Sequence, residues 1–209
     1  YCTKKFHADR KFADILALYV KSTAAIGGDQ YLSSSWQVYN DMMESCPDAL
    51  RILAQDFPWP KLNCGRLPTK LSSSNDLTET SHTPIIFQQD VHRIFEGTNL
   101  LSPVQRKALD LLETFANKNS IKLDVEVGDI QLVNNLALLH ARRAWVDRPG
   151  QERHYYRLGL RDPGNYWKRP LKYEAVFDDH FHTAPEEQSI PVSDFDPYGL
   201  TSLAHHPHG

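Results

Sequence analysis

The stretch from Ile121 to Asn134 constrains the fold of this chain more than any other part of the sequence. Ile121, Leu123, Val125 and Val127 alternate with polar residues, the period-two pattern of a half-buried strand. Gly128-Asp129 interrupts it as a turn, and Ile130-Gln131-Leu132-Val133-Asn134 resumes as a second strand. Residues 154–160 read as a third. Earlier in the chain, the largely apolar run from Phe12 to Val20 ends in β-branched and aromatic residues and predicts a buried strand. Gly27-Gly28-Asp29 is a turn signal, with a short strand expected over Gln30 to Ser33 and another at Pro84-Ile85-Ile86-Phe87.

Helices are expected between these strands. Ser34 and Gln37 fit a capping box that opens a helix reaching about Met43. Pro47 suits the first position of the next, whose apolar face is Ala49, Leu50, Ile52 and Leu53. Ser102-Pro103-Val104-Gln105 combines a capping serine, an initial proline and a glutamine three residues on, so a helix should run from there to about Asn119. Its inward residues would be Ala108, Leu111, Leu112 and Phe115. Strict β-α-β alternation is absent. The pattern therefore favours a mainly β chain with helical insertions, a sandwich or jelly roll (double-stranded β-helix), over a doubly wound sheet.

With 209 residues, one domain is the expectation. Residues 58–82, rich in Pro, Ser, Thr and Asn, read as a mobile loop or lid, and the last fifty residues as surface wrapping. A net charge of −3 without a basic stripe gives no electrostatic case for nucleic acid or an anionic membrane surface. No apolar run reaches the length of a membrane span. Cys2, Cys46 and Cys64 lack metal-type spacing and predict free thiols in a reducing, cytoplasmic compartment. The oligomeric state is left open, with a homodimer among the options.

The chemistry concentrates in three places. In an extended His7-Ala8-Asp9 segment, residues two apart share a side, so an imidazole and a carboxylate can grip one ion. Alone, the motif reads more readily as a solvated surface pair. His140 lies just beyond a predicted strand, and Arg153 and Arg157, four apart on another, share a face. A histidine followed by a strand-borne arginine suits a metal ligand plus a clamp for a carboxylate, which guanidinium matches bidentately. Two further histidine clusters, His180-Phe181-His182 and His205-His206-Pro207-His208, lie in segments that read as exposed.

Four blocks in order carry a family resemblance: His7-Ala8-Asp9; Gly27-Gly28-Asp29 with Ser33 to Asn40; Ser102 to Asp110; and Gly128-Asp129 through Arg157. The chain resembles the TauD/TfdA-like (taurine dioxygenase, clavaminate synthase-like) Fe(II)- and 2-oxoglutarate-dependent oxygenases, in their fungal form. The resemblance implies a jelly-roll core, with His7, Asp9 and His140 as iron ligands and Arg153 on the distal carboxylate of 2-oxoglutarate. Arg157 would match a second family arginine that often faces the substrate. A structural salt bridge is the alternative for either arginine. Where the family usually has Thr or Ser to help hold 2-oxoglutarate, this chain has Gln30, whose amide can donate the same bond. Gly159 stands where relatives often carry Trp. Relatives also carry a sizeable segment before the first histidine, so the expectation is a single catalytic domain over 1–209 that lacks an amino-terminal part of the full-length protein.

The implied activity uses Fe(II), 2-oxoglutarate and O₂ to oxidise an unactivated C–H bond of a small-molecule substrate, releasing succinate and CO₂. Hydroxylation, desaturation and ring closure are all compatible with it. Arg157, with Arg142 and Arg143, hints at an anionic or amino-acid-like substrate. The alternatives are a non-catalytic jelly-roll binding module, for which Gln30 is the best support, and a zinc-dependent hydrolase on the same three ligands. No general base stands out for the latter.

Overall fold

The computed structural model describes residues 3–9, 13–55, 57, 101–162 and 164. The predicted loop or lid at 58–82, the strand at 84–87, Cys2 and Cys64, the carboxy-terminal wrapping and both extra histidine clusters lie outside the described residues.

Nine strands and three helices are described. They are β1 (Lys4–His7), β2 (Ile15–Ser22), β3 (Ile26–Gly27), β4 (Gln30–Ser34), α1 (Ser35–Ser45), α2 (Pro47–Leu53), α3 (Pro103–Lys118), β5 (Ser120–Lys122), β6 (Ile130–Asn134), β7 (Leu138–Arg142), β8 (Trp145–Val146) and β9 (His154–Leu160). One sheet has the order β1-β7-β4-β5 and a second β6-β2-β9, with β3-β8 as a small ribbon. Every described strand pair is antiparallel. The chain crosses between the two larger sheets from β1 to β2, from β5 to β6 and from β6 to β7, as in a jelly roll. That matches the mainly β architecture with helical insertions expected from the sequence.

Helix starts follow the sequence signals closely. Ser102 accepts from the Gln105 amide at 3.3 Å while the Gln105 side chain returns to the Ser102 N–H at 3.0 Å, completing the capping box of α3. At α1 only half the box forms. Ser34 accepts from the Gln37 amide at 3.3 Å, but the Gln37 side chain turns to Asp41 at 2.7 Å. The three helices cover one side of the four-stranded sheet. Val38, Met42, Leu50, Leu53, Ala108, Leu109 and Ala116 form an apolar core there with Phe6 and Leu139 from the sheet.

One strand is shorter than expected. The alternation from Ile121 to Val127 predicts a half-buried strand, yet only Ser120–Lys122 pairs, along β4. Ile121 and Val127 are 62% and 63% exposed. The ladder ends where Leu123 donates to the Gln30 carbonyl, and Asp129 then caps the Glu126 amide to form a turn. A sequence alternation needs a partner edge to become a strand, and β4 offers one only three residues long. The other strands expected within the described residues appear, β9 over its full predicted range.

Candidate metal centre

Three side chains from two distant parts of the chain meet between the two larger sheets. His7 ends β1 and pairs directly with His140 of β7, placing the two rings 4.2 Å apart. Asp9 follows two residues beyond His7. One of its oxygens stands 3.9 Å from His7 Nε2 and 3.8 Å from His140 Nε2. Among the described residues this trio offers ligand atoms that all lie within 4.8 Å of one another. Two imidazoles and a carboxylate on one side of an ion form the facial arrangement that leaves coordination positions open for small molecules.

The local chain conformation explains the convergence. Regular alternation would put Lys4 and His7, three apart, on opposite faces of β1. The register between β1 and β7 slips between those two residues, and both face the cavity. Lys5 and Phe6, between them, turn toward α3. Lys5 approaches Asp110 and the Phe6 amide donates to Glu113 at 2.9 Å. His7 Nδ1 donates to the Lys5 carbonyl at 2.7 Å, which turns the Nε2 lone pair toward the site.

Electrostatics favour an ionised Asp9 carboxylate beside a neutral His140. Burial opposes the Asp9 charge, but His140, Arg157, His7 and Lys4 outweigh it and hold the carboxyl below its ordinary value. Burial, reinforced by His7, pushes His140 down to about 3, against the pull of Asp9. A divalent cation requires those states of a carboxylate and an imidazole ligand. His140 Nδ1 is buried without a hydrogen-bond partner.

The cavity's other walls come from both sheets. Gln30, Leu32 and Arg142 line it from the four-stranded sheet, and Leu16, Leu18, Gln131 and Val133 from the other. Arg153 and Arg157 also reach it. Arg157 Nη2 donates to the outer Asp9 oxygen at 2.6 Å, so this arginine makes the salt bridge that the sequence left as an alternative to substrate contact. Arg153 is set by its surroundings. Its guanidinium stacks 3.8 Å from the Tyr155 ring and 5.1 Å from Trp145, and its amide donates to Asp147 at 2.8 Å. Burial pulls its pKa below the ordinary value, against Tyr155 and Asp147. The nearby turn is glycine for a physical reason. Gly27 has φ +73°, and a Cβ there would meet the Ala144 carbonyl oxygen at 2.4 Å.

Several polar atoms in this cavity have no partner: Gln30 Nε2, both amide atoms of Gln131, and Nε of Arg153. Buried amides in proteins are normally satisfied, so such a cluster points to a polar ligand. All six residues singled out from the sequence, His7, Asp9, Gln30, His140, Arg153 and Arg157, line this one cavity. Sequence reasoning missed Gln131, Lys4 and Asn135. The only sequence signal for Gln131 is its place in a strand whose neighbouring positions are apolar.

Comparison with known proteins agrees with this geometry. A family model described as taurine catabolism dioxygenase TauD, TfdA family matches residues 1–158. A taurine hydroxylase-like protein of Stachybotrys chartarum is 32% identical over 197 residues, covering 88% of this chain and 49% of its own length. The chain thus spans about half the length of the curated relative it matches. Among solved structures, an asparagine oxygenase superposes with a TM-score of 0.53 at 15% identity, over 77% of this chain and 50% of that one. An asparagine oxygenase in complex with Fe(II), 2S,3S-3-hydroxyasparagine and succinate gives a TM-score of 0.51 at 14% identity, over 75% and 49%.

Proposed function

This chain belongs to the taurine catabolism dioxygenase TauD, TfdA family, and from that premise we propose that it is the catalytic domain of an Fe(II)- and 2-oxoglutarate-dependent dioxygenase. The observation that carries the reading is the convergence of His7, Asp9 and His140 in one cavity with Arg153 and Gln30. The donor set fits the metal: two imidazoles and one ionised carboxylate, with His7 Nδ1 turned to the Lys5 carbonyl and its Nε2 toward the site. Fe(II) held there would supply the chemistry that couples O₂ and 2-oxoglutarate to oxidation of a substrate C–H bond, with release of succinate and CO₂.

Each surrounding residue has a task on this reading. Arg157 occupies the outer Asp9 oxygen and leaves the inner one for the metal. Arg153 presents a guanidinium stacked on Tyr155 and Trp145, stiff enough to bind the distal carboxylate of 2-oxoglutarate bidentately. The unpartnered Gln30 amide donates to the same carboxylate, and Gln131 offers one donor and one acceptor more. Leu16, Leu18, Leu32 and Val133 keep water from the reacting centre. Lys4 and Arg142, both buried and lining the cavity, favour a small anionic or amino-acid-like substrate. The free Cys46 fits a reducing, cytoplasmic setting. No described helix is long and apolar enough to cross a membrane.

The test is spectroscopic. Apo-protein mixed anaerobically with Fe(II) and 2-oxoglutarate should develop a visible metal-to-ligand charge-transfer band. His7→Ala should abolish it. Arg153→Ala should keep the band but need at least tenfold more 2-oxoglutarate, since a charge-assisted bidentate contact is lost. No band in the wild-type chain would overturn the assignment, and an unchanged requirement in Arg153→Ala would move the clamp elsewhere.

A further inference from the structure

Asp9 lies beyond the last residue of β1, so the β1-β7 ladder, which ends at His7 and His140, does not hold it. Its backbone is held instead by one side chain 126 residues away. Asn135 Oδ1 accepts from the Asp9 N–H at 2.7 Å, and Asn135 Nδ2 donates to the Asp9 carbonyl at 2.8 Å. The same Nδ2 donates to the Ala13 carbonyl at 2.9 Å. The backbone amide of Asn135 donates to the Asp14 carbonyl at 2.9 Å. Asn135 is 3% exposed and begins the tight turn that launches β7, the strand carrying His140.

We propose that Asn135 is the positioning residue of the metal centre, the group that sets Asp9 at its distance from His140. The inference rests on the proposed function and deepens it. The carboxamide acts as a one-residue strand partner: both polar groups of the Asp9 backbone are satisfied by it, and by nothing regular. An asparagine is required at this position. Aspartate lacks the two donations, leucine lacks all three bonds, and glutamine is one methylene too long. Metal bonds tolerate only ~0.2 Å of error, so a small drift of the Asp9 backbone would reach the ion directly. Asn135 touches no ligand and no reacting atom. It acts through Asp9 alone, as groups behind metal ligands do, and their loss typically weakens metal binding ~10–100-fold.

The experiment is anaerobic titration of the full chain with Co(II), a spectroscopic stand-in for Fe(II), at a temperature where circular dichroism shows each variant fully folded. Asn135→Leu should bind Co(II) ~10–100-fold more weakly and show an altered d–d spectrum. Ser102→Ala, which removes only the α3 cap, should lower the thermal midpoint and leave affinity and spectrum unchanged. If Asn135→Leu does not fold, Asn135→Ser is read by the same criterion. Wild-type affinity and spectrum in the folded Asn135 variant would overturn the inference alone. Absence of Co(II) and Fe(II) binding in the wild-type chain would overturn it together with the proposed function.

Discussion

The two faces of the four-stranded sheet are built on opposite rules. Toward the helices, Phe6 and Leu139 join an apolar cluster in which Val38, Met42 and Leu53 are almost wholly inaccessible. Toward the cavity, the same strands present His7, Gln30, His140 and Arg142, all but His140 under 9% exposed. The first face has its volume filled, and serines cap the starts of α1 and α3. The second holds buried amide and ring nitrogens without partners. Burying an unpaired polar group costs about 1–3 kcal/mol, so the cavity face opposes folding unless something binds there. The helical face must supply the stability that lets the other face stay unsatisfied.

Leu53→Ala is the strongest way to break that division. Leu53 is fully buried on α2 in the helical core, and its truncation should cost about 2–5 kcal/mol in denaturant unfolding. Co(II) affinity of the folded fraction should not change. A loss of metal affinity alongside the loss of stability would mean that the two faces are not independent. Gln131→Leu probes the cavity from the opposite sheet and should act with the opposite sign. It removes an amide whose two polar atoms have no partner, so the apo-protein should be as stable as the wild type or slightly more so. The 2-oxoglutarate concentration giving half the charge-transfer band should rise about tenfold, the equivalent of one lost hydrogen bond. A lower apo thermal midpoint in Gln131→Leu would show that the amide serves structure instead.

The contrast also explains what the sequence could and could not disclose. Caps and turns are local, so Ser102 with Gln105 and Gly27-Gly28 were legible with their physical reasons. The six candidate site residues were picked out through the order of four family-like blocks along the chain, and they line one cavity. Alternation, by contrast, separates two faces without saying which one is inward. In β6, Ile130 and Leu132 are 68% and 66% exposed, while Gln131 and Val133 line the cavity. In β9, Tyr156 and Leu158 face out and Arg157 faces in. A rule that sends apolar residues inward inverts both strands. Asn135 was illegible for a different reason. Its role depends on a tertiary partner 126 residues away, and Asn134-Asn135 at a strand end reads locally as an ordinary turn.

The smallest expected effect lies on the helical face and is tied to pH. Asp41 of α1 accepts from Lys118 Nζ at 2.9 Å, Asn119 Nδ2 at 3.1 Å and Gln37 Nε2 at 2.7 Å, fastening α1 to the end of α3. Those bonds, from Lys118 first, then Asn119 and Gln37, hold its carboxyl down to about 2. An unfolded aspartate titrates near ~3.9, so the folded carboxyl is the stronger acid. Its contribution is therefore complete above about pH 4 and disappears as pH falls toward 2. Asp41→Asn should lower the thermal midpoint at pH 7 by only ~2 °C, because the site is close to solvent and screened. The difference from the wild type should close as pH falls through that window. Co(II) affinity at pH 7 should be identical in the two proteins, since Asp41 lies on the helical side of the sheet. A midpoint difference that persists at pH 2 would mean that Asp41 stabilises through packing and not through its charge, and the helical face would then owe its strength to shape alone.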